Sequence, residues 1–142
     1  MKIICIILIF LVACNNKSIS KNTKESNIDS ILIQHQTWLK NYALCACASE
    51  GYKQEGFDVI DYSYGVYRDI ASYDQKSYSI IDSIAKKIIE KTPALQIDDY
   101  NNKKPILKSC LEFYHSKFLD SVVHSFDAEM QAFILDDLKV QQ

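Results

Sequence analysis

Apolar residues recur every three or four positions along most of this chain, and residues that interrupt helices are scarce. Only three Gly and two Pro occur among 142 residues, so few positions break a helical period. The first apolar stripe comprises Ile31, His35, Trp38, Tyr42, Cys45 and Ser49. It predicts a first helix over about 29–50. Similar stripes follow it, and together they predict an all-α domain, a small helical bundle of four to five helices.

The sequence also indicates where the second and third helices lie. A second stripe comprises Phe57, Ile60, Tyr64, Tyr67 and Ala71. Gly65 lies inside this second helix and costs about 1 kcal/mol relative to Ala, so we expect a neighbouring helix to approach it closely. Asp74 is a good N-cap for a third helix, which ends near Pro93 because proline interrupts the helical hydrogen bonds.

The remaining apolar residues predict two more helices near the C-terminus. Pro105 suits the first turn of a fourth helix. The residues expected to face the core from this helix are Leu107, Cys110, Leu111, Tyr114, Phe118 and Val122. Asp127 is expected to cap a last helix, whose apolar side carries Met130, Phe133, Ile134 and Leu138.

The first fourteen residues, MKIICIILIFLVAC, have the character of an export signal. One Lys precedes an apolar run over 3–13, which falls short of the about 20 residues that a spanning helix needs. The segment LVAC resembles the lipobox of bacterial lipoproteins, where cleavage precedes a Cys whose thiol carries a diacylglycerol. We predict a signal peptide over 1–13, a lipid on Cys14, and attachment to the periplasmic side of a membrane in the cell envelope. An ordinary signal peptide or a membrane anchor is the alternative.

Composition separates a polar tether from an acidic domain. Residues 14–27 are dominated by Asn, Lys and Ser and cannot bury enough apolar surface to order themselves, which predicts a flexible tether. Residues 28–142 then form one domain by length, with 12 basic and 17 acidic residues and a formal charge of −5. This charge argues against a nucleic-acid surface, and it suits a basic protein partner.

Three cysteines lie in the predicted domain, and an oxidising compartment favours a disulfide among them. Cys45 and Cys47 stand about 200° apart around a helix, so they cannot easily bridge each other. One of them should therefore pair with Cys110, and helical phase places Cys45 nearer the apolar stripe. The alternative is a zinc site of these three thiols and His115, although C-x-C within a helix points two ligands apart. We predict no metal and no cofactor.

Three stretches resemble the type VI secretion amidase immunity proteins, exported helical inhibitors of family-four peptidoglycan amidase effectors. They are CASEGYK at 47–53, YGVY at 64–67 and KSCLEFYHSKFLD at 108–120. The resemblance implies an all-helical fold, often dimeric, with a disulfide between Cys47 and Cys110. It also implies a role in binding an incoming toxin, without chemistry of its own, so no catalytic residue is predicted. Tyr114, His115 and Ser116 in the third stretch are interpreted as structural.

These observations predict a periplasmic, lipid-anchored immunity protein that binds and inhibits a secreted peptidoglycan amidase. A structural or adaptor lipoprotein of a cell-envelope complex is the alternative. The polar connection at 92–105 is the longest in the domain and such segments are often functional. Asp98, Asp99 and Tyr100 are therefore the candidate toxin-binding residues, with a solvated connector as the alternative. Tyr62 and Tyr73 are a second, aromatic candidate site.

Overall fold

The structure, a computed structural model, describes the backbone of residues 2–57, 61–97, 99 and 101–140. Side chains within these ranges are described from Ser26 onward. The predicted signal peptide, the lipidation of Cys14 and most of the predicted tether therefore lie outside the residues whose side chains are described. Their assignments stay predictions.

Across the described residues the fold is all-helical, as predicted, with six helices and no strand. In chain order they are α1 (Lys2–Gln54), α2 (Ser63–Ala71), α3 (Gln75–Lys91), α4 (Ile106–Tyr114), α5 (Lys117–His124) and α6 (Asp127–Val140). The predicted number, four to five, was too low because the fourth helix is interrupted. At the interruption, Ser116 caps α5 by accepting a hydrogen bond from the backbone N–H of Leu119 over 3.1 Å.

The first helix is the centre of the bundle, because each of the other five helices packs against it. Its residues Leu39, Tyr42, Ala43 and Cys47 are fully buried. The core continues through the inner faces of the surrounding helices, with Ile81, Ile89, Leu119, Val123 and Met130 among its most buried side chains. Within the described side chains, no helix combines the length and apolar character needed to cross a membrane.

The third helix begins and ends where the sequence predicts. Asp74 is its N-cap and accepts a hydrogen bond from the backbone N–H of Ser77 over 2.6 Å. The helix ends at Lys91, directly before Thr92 and Pro93. Local capping chemistry is thus enough to define this element.

The core-facing residues predicted for the fourth helix were partly wrong. Leu107, Leu111 and Phe118 are exposed. The residues that α4 and α5 bury are Ile106, Cys110, Phe113, Leu119 and Val123. Two features account for the difference. Ile106 packs against Gly51 of α1 and is buried there, and the turn before α5 shifts the helical phase of the residues that follow.

The expectation of a close helix contact at Gly65 was also wrong. A Cβ atom added at this position would meet nothing within 4 Å. Gly51 is the glycine where another element approaches closely, since a Cβ there would lie 3.1 Å from Cδ1 of Ile89 and against Cγ2 of Ile106. Packing inside the described chain therefore requires a glycine in α1 and gives no reason for the one in α2.

Two tyrosines of the core differ in how their hydroxyl groups are satisfied. The Tyr78 hydroxyl donates to the carbonyl of Arg68 over 2.8 Å and accepts from the backbone N–H of Tyr73 over 3.2 Å. The Tyr73 hydroxyl is buried and has no partner among the described residues. Because the Tyr73 side chain is only 7% exposed, it cannot form the predicted aromatic binding site.

We expect the matched variants Tyr73→Phe and Tyr78→Phe to affect stability differently. Removing the unpartnered hydroxyl of Tyr73 should leave the free energy of unfolding unchanged or raise it by up to about 1 kcal/mol. Removing the Tyr78 hydroxyl leaves the Arg68 carbonyl and the Tyr73 N–H without their partner, which should cost about 1–3 kcal/mol. Urea unfolding followed by circular dichroism measures both. Equal losses would contradict the difference in hydrogen bonding.

Candidate functional site

A disulfide bridge joins the central helix to α4. Cys47 and Cys110 are fully buried, with Cα atoms 5.7 Å apart and a sequence separation of 63 residues. This is the pair that the resemblance implies, and Cys45 remains a free, half-buried thiol. The bridge leaves neither thiol of the pair available for the alternative zinc site. Among the described residues, no group of three or more His, Cys, Asp or Glu side chains could hold a metal ion.

The environment of Cys45 disfavours its reactive form. Burial raises the pKa of the Cys45 thiol, and the carboxylate of Asp61 raises it further by repelling the thiolate charge. Because the thiolate is the nucleophile in thiol exchange, a larger share of Cys45 stays protonated near neutral pH. This protonation limits attack on a neighbouring disulfide.

We expect the pH dependence of Cys45 alkylation to show this effect. A raised pKa places the half-maximal rate at a higher pH in the folded protein than in the urea-unfolded one. Asp61→Asn removes the carboxylate charge and should move that pH downward, whereas Asp69→Asn serves as the control with no shift. Iodoacetamide labelling read by mass spectrometry measures the rates. An unchanged pH dependence in Asp61→Asn would rule out the electrostatic contribution.

The KSCLEFYHSKFLD stretch builds the contact between α1 and the α4–α5 corner. Asp120 accepts a hydrogen bond from Lys40 over 2.7 Å, and this bond holds the pKa of Asp120 below its usual range. The Tyr114 hydroxyl donates to Asn41 over 3.2 Å. His115 is exposed at the turn itself. Two of these contacts join neighbouring helices, which gives the stretch a packing function.

The connection between α3 and α4 is fastened at its base. The Leu95 N–H donates to the carbonyl of Lys103 over 3.0 Å, and the Lys104 ammonium donates to the carbonyl of Ile89 over 2.9 Å. Asn101 and Asn102 both adopt positive φ angles, 48° and 55°. Asn tolerates this left-handed conformation better than most residues do, so the two asparagines suit the turn.

Of the candidate toxin-binding residues at 98–100, the structure describes one. Asp99 is exposed, whereas Asp98 and Tyr100 lie outside the described residues. The base is basic: Lys103 lies 3.4 Å from the carboxylate of Glu55, and its ammonium stands 5.6 Å from the ring centroid of Phe57. The connection is therefore held against the C-terminal end of α1, and its described residues include the basic Lys103 as well as the exposed Asp99.

An open groove of about 330 Å³ lies beside the base of the loop. Its lining residues are Tyr52, Glu55, Phe57, Lys103, Lys104, Pro105, Ile106, Leu107 and Lys108. The floor is largely apolar and three lysines border it. This groove places an apolar and basic surface beside the base of the α3–α4 connection.

A comparison with protein families matches the part of the chain that contains the Cys47–Cys110 bridge. Residues 37–123 match the model of the Tai4 family, described as type VI secretion system (T6SS), amidase immunity protein. This chain belongs to that family. In this amidase immunity protein the matched segment runs from α1 into α5 and includes the bridge and the α3–α4 loop, while α6 lies outside it. No match was found among curated proteins or among solved structures.

Sequence reasoning identified only part of one exposed surface of this immunity protein, because it named Tyr62 as a candidate but not Val66 or Ile70. Tyr62 is the N-cap residue of α2, and Val66 and Ile70 follow it at a spacing of four residues. All three side chains are exposed. The spacing itself was the available signal, because residues four apart share a helix face. It went unused because the inward stripe of the same helix defined the prediction.

Proposed function

We propose that this chain is a periplasmic, lipid-anchored immunity protein that binds and inhibits a type VI secreted peptidoglycan amidase. The observation that carries the proposal is the family match over residues 37–123. An immunity protein of this kind acts by binding the toxin and blocking it. Such inhibition requires no catalytic group in the immunity protein itself. The cell that makes this protein is thereby protected from an amidase that would cut its own cell wall.

Two features support a location in the cell envelope. The MKIICIILIFLVAC start has the form of a lipoprotein signal ending at Cys14. The buried bridge between Cys47 and Cys110 suits an oxidising compartment, where disulfides form and persist. Lipid on Cys14 would hold the inhibitor where cell-wall amidases act.

Inhibition would follow from a rigid surface that fills the amidase cleft. The bridge and the central helix fix the scaffold before binding, so less conformational freedom is lost on association. The 94–104 loop is the proposed element for entering the cleft, and Asp98, Asp99 and Tyr100 are its candidate toxin-binding residues. Acidic side chains there would complement a basic partner. A homodimer, which the resemblance implies, would present two such loops.

The test is protection of cells that export the amidase to their own periplasm. Full-length chain should restore growth, whereas Cys14→Ser should shift the protein from the membrane fraction to the soluble fraction. A loop variant, Asp98→Lys with Asp99→Lys, should lose protection while folding normally by circular dichroism. Lys86→Asp with Lys87→Asp, on exposed positions of α3, is the matched charge-reversal control and should protect.

Two outcomes would contradict the proposal. Lysis despite normal levels of the wild-type protein would favour the adaptor lipoprotein of an envelope complex. Wild-type protein that stays soluble whether or not Cys14 is present would remove the lipid anchor and leave the inhibition intact. The two parts of the proposal are thus tested separately.

A further inference from the structure

The outer face of α2 presents apolar side chains that no part of the described chain covers. Tyr62 is 76% exposed, Val66 56% and Ile70 39%. The opposite face of the helix packs inward, where Ala71 is buried and Tyr64 lies 6.4 Å from the ring of Tyr42. One face of α2 therefore packs against the core, and the opposite face carries a second apolar stripe that is exposed.

Gly65 lies beside this outward stripe, and no described residue packs closely against it. A mid-helix glycine costs about 1 kcal/mol relative to alanine, and a Cβ here would meet nothing within 4 Å. Glycine in such a place permits another molecule to approach the backbone closely. Gly65 and the exposed apolar residues thus lie on the same surface.

The charges around the stripe are acidic. Asp61 and Asp69 are exposed next to it. The one basic residue of the helix, Arg68, turns away: its guanidinium hydrogen-bonds Gln75 and stands 5.3 Å from the ring centroid of Tyr78. Asp69 follows Gly65 by four residues and Val66 by three, so it lies on the same face as they do. The surface is consequently apolar with acidic side chains among and beside its apolar residues.

This charge pattern selects the kind of occupant. Two copies of the chain related by a two-fold axis would pair the same surface with itself, which places Asp61 and Asp69 against like charges. The nine-residue helix is about 13 Å long, so with any partner its face supplies only part of the about 800 Å² of a standard interface. It fits as one part of a larger contact with a protein that has an apolar depression bordered by Lys or Arg.

We infer that the outer face of α2, formed by Tyr62, Gly65, Val66 and Ile70, binds the amidase, with Gly65 admitting close approach of the amidase surface. This inference rests on the proposed function. It adds to the loop a second contact surface on the same matched segment, residues 37–123.

The test is calorimetric titration of the full-length chain, extracted in detergent, with a catalytically inactivated peptidoglycan amidase of the type VI secreted class. Tyr62→Ala and Val66→Arg should each weaken Kd by about tenfold or more, as central interface residues do. Gly65→Ala should raise the Tm of the free protein by about 3 °C while weakening Kd by about fivefold. A gain in stability together with a loss of affinity in Gly65→Ala would show that the glycine serves binding and not folding.

Leu135→Arg is the matched control for Val66→Arg. Leu135 is also an exposed aliphatic residue on a helix, but α6 lies outside the family match, so its Kd should stay within about twofold. Full affinity in all three α2 variants would overturn the inference and leave the proposed function standing. Wild-type protein that fails to bind the amidase would overturn both. A change confined to self-association, measured by light scattering, would assign the face to a second copy and overturn the inference.

Discussion

Replacing Cys110 by Ser is expected to lower the melting temperature of the oxidised protein by on the order of 15 °C. The bridge to Cys47 spans 63 residues, and the chain-entropy model assigns about 4 kcal/mol to closing a loop of that length. A domain of this size loses several degrees for each kcal/mol. The effect is large because the bridge fastens α4 to the helix on which all others pack.

Comparison with reductant separates the bridge from the packing of the sulfur atoms. In reducing buffer the wild-type protein loses the bridge as well, so Cys110→Ser should melt within a few degrees of it. Cys45→Ser is the matched control, since Cys45 is free, and it should melt like wild type when oxidised. A loss of equal size in both buffers would show that buried volume, and not the covalent link, stabilises this position.

The choice between Cys45 and Cys47 shows a limit of sequence patterns for this helix. Phase along a single apolar stripe placed Cys45 nearer the core, yet Cys47 is the fully buried cysteine. A helix that is covered from several directions buries more than one stripe. Sequence periodicity could identify α1 as a helix, but the number of neighbours around it depends on the tertiary fold. The family resemblance carried the pairing information that periodicity lacked.

Local and long-range effects divide the other predictions in the same way. The start of α3 was predictable because Asp74 caps it through a bond to Ser77 three residues away. The face of α4 was not, because Ile106 packs against Gly51, which lies far away in the sequence. The composition of the α3–α4 loop indicated its existence, whereas its fastening to Glu55 by Lys103 depends on the folded arrangement.

Gly51→Ala is the second variant for which we expect a large loss of stability. Alanine favours a helix by about 1 kcal/mol over glycine, so local propensity alone predicts a gain. The new Cβ, however, would lie 3.0 Å from Cδ1 of Ile106 and 3.1 Å from Cδ1 of Ile89, and closer still to Cγ2 of Ile106. Ile106 is β-branched and stiff about its first side-chain torsion, and it is buried. Overpacking of this kind costs about 1–3 kcal/mol, which should outweigh the helical gain.

Gly65→Ala is the control that isolates packing from propensity, because the same substitution meets open space there. Urea unfolding should show a lower free energy of unfolding for Gly51→Ala and a higher one for Gly65→Ala. A double-mutant cycle with Ile106→Ala tests the assigned contact: once the Ile106 side chain is gone, Gly51→Ala should no longer destabilise. If it still does so in that background, the clash lies elsewhere, and the close approach of α4 to α1 cannot explain why CASEGYK contains a glycine.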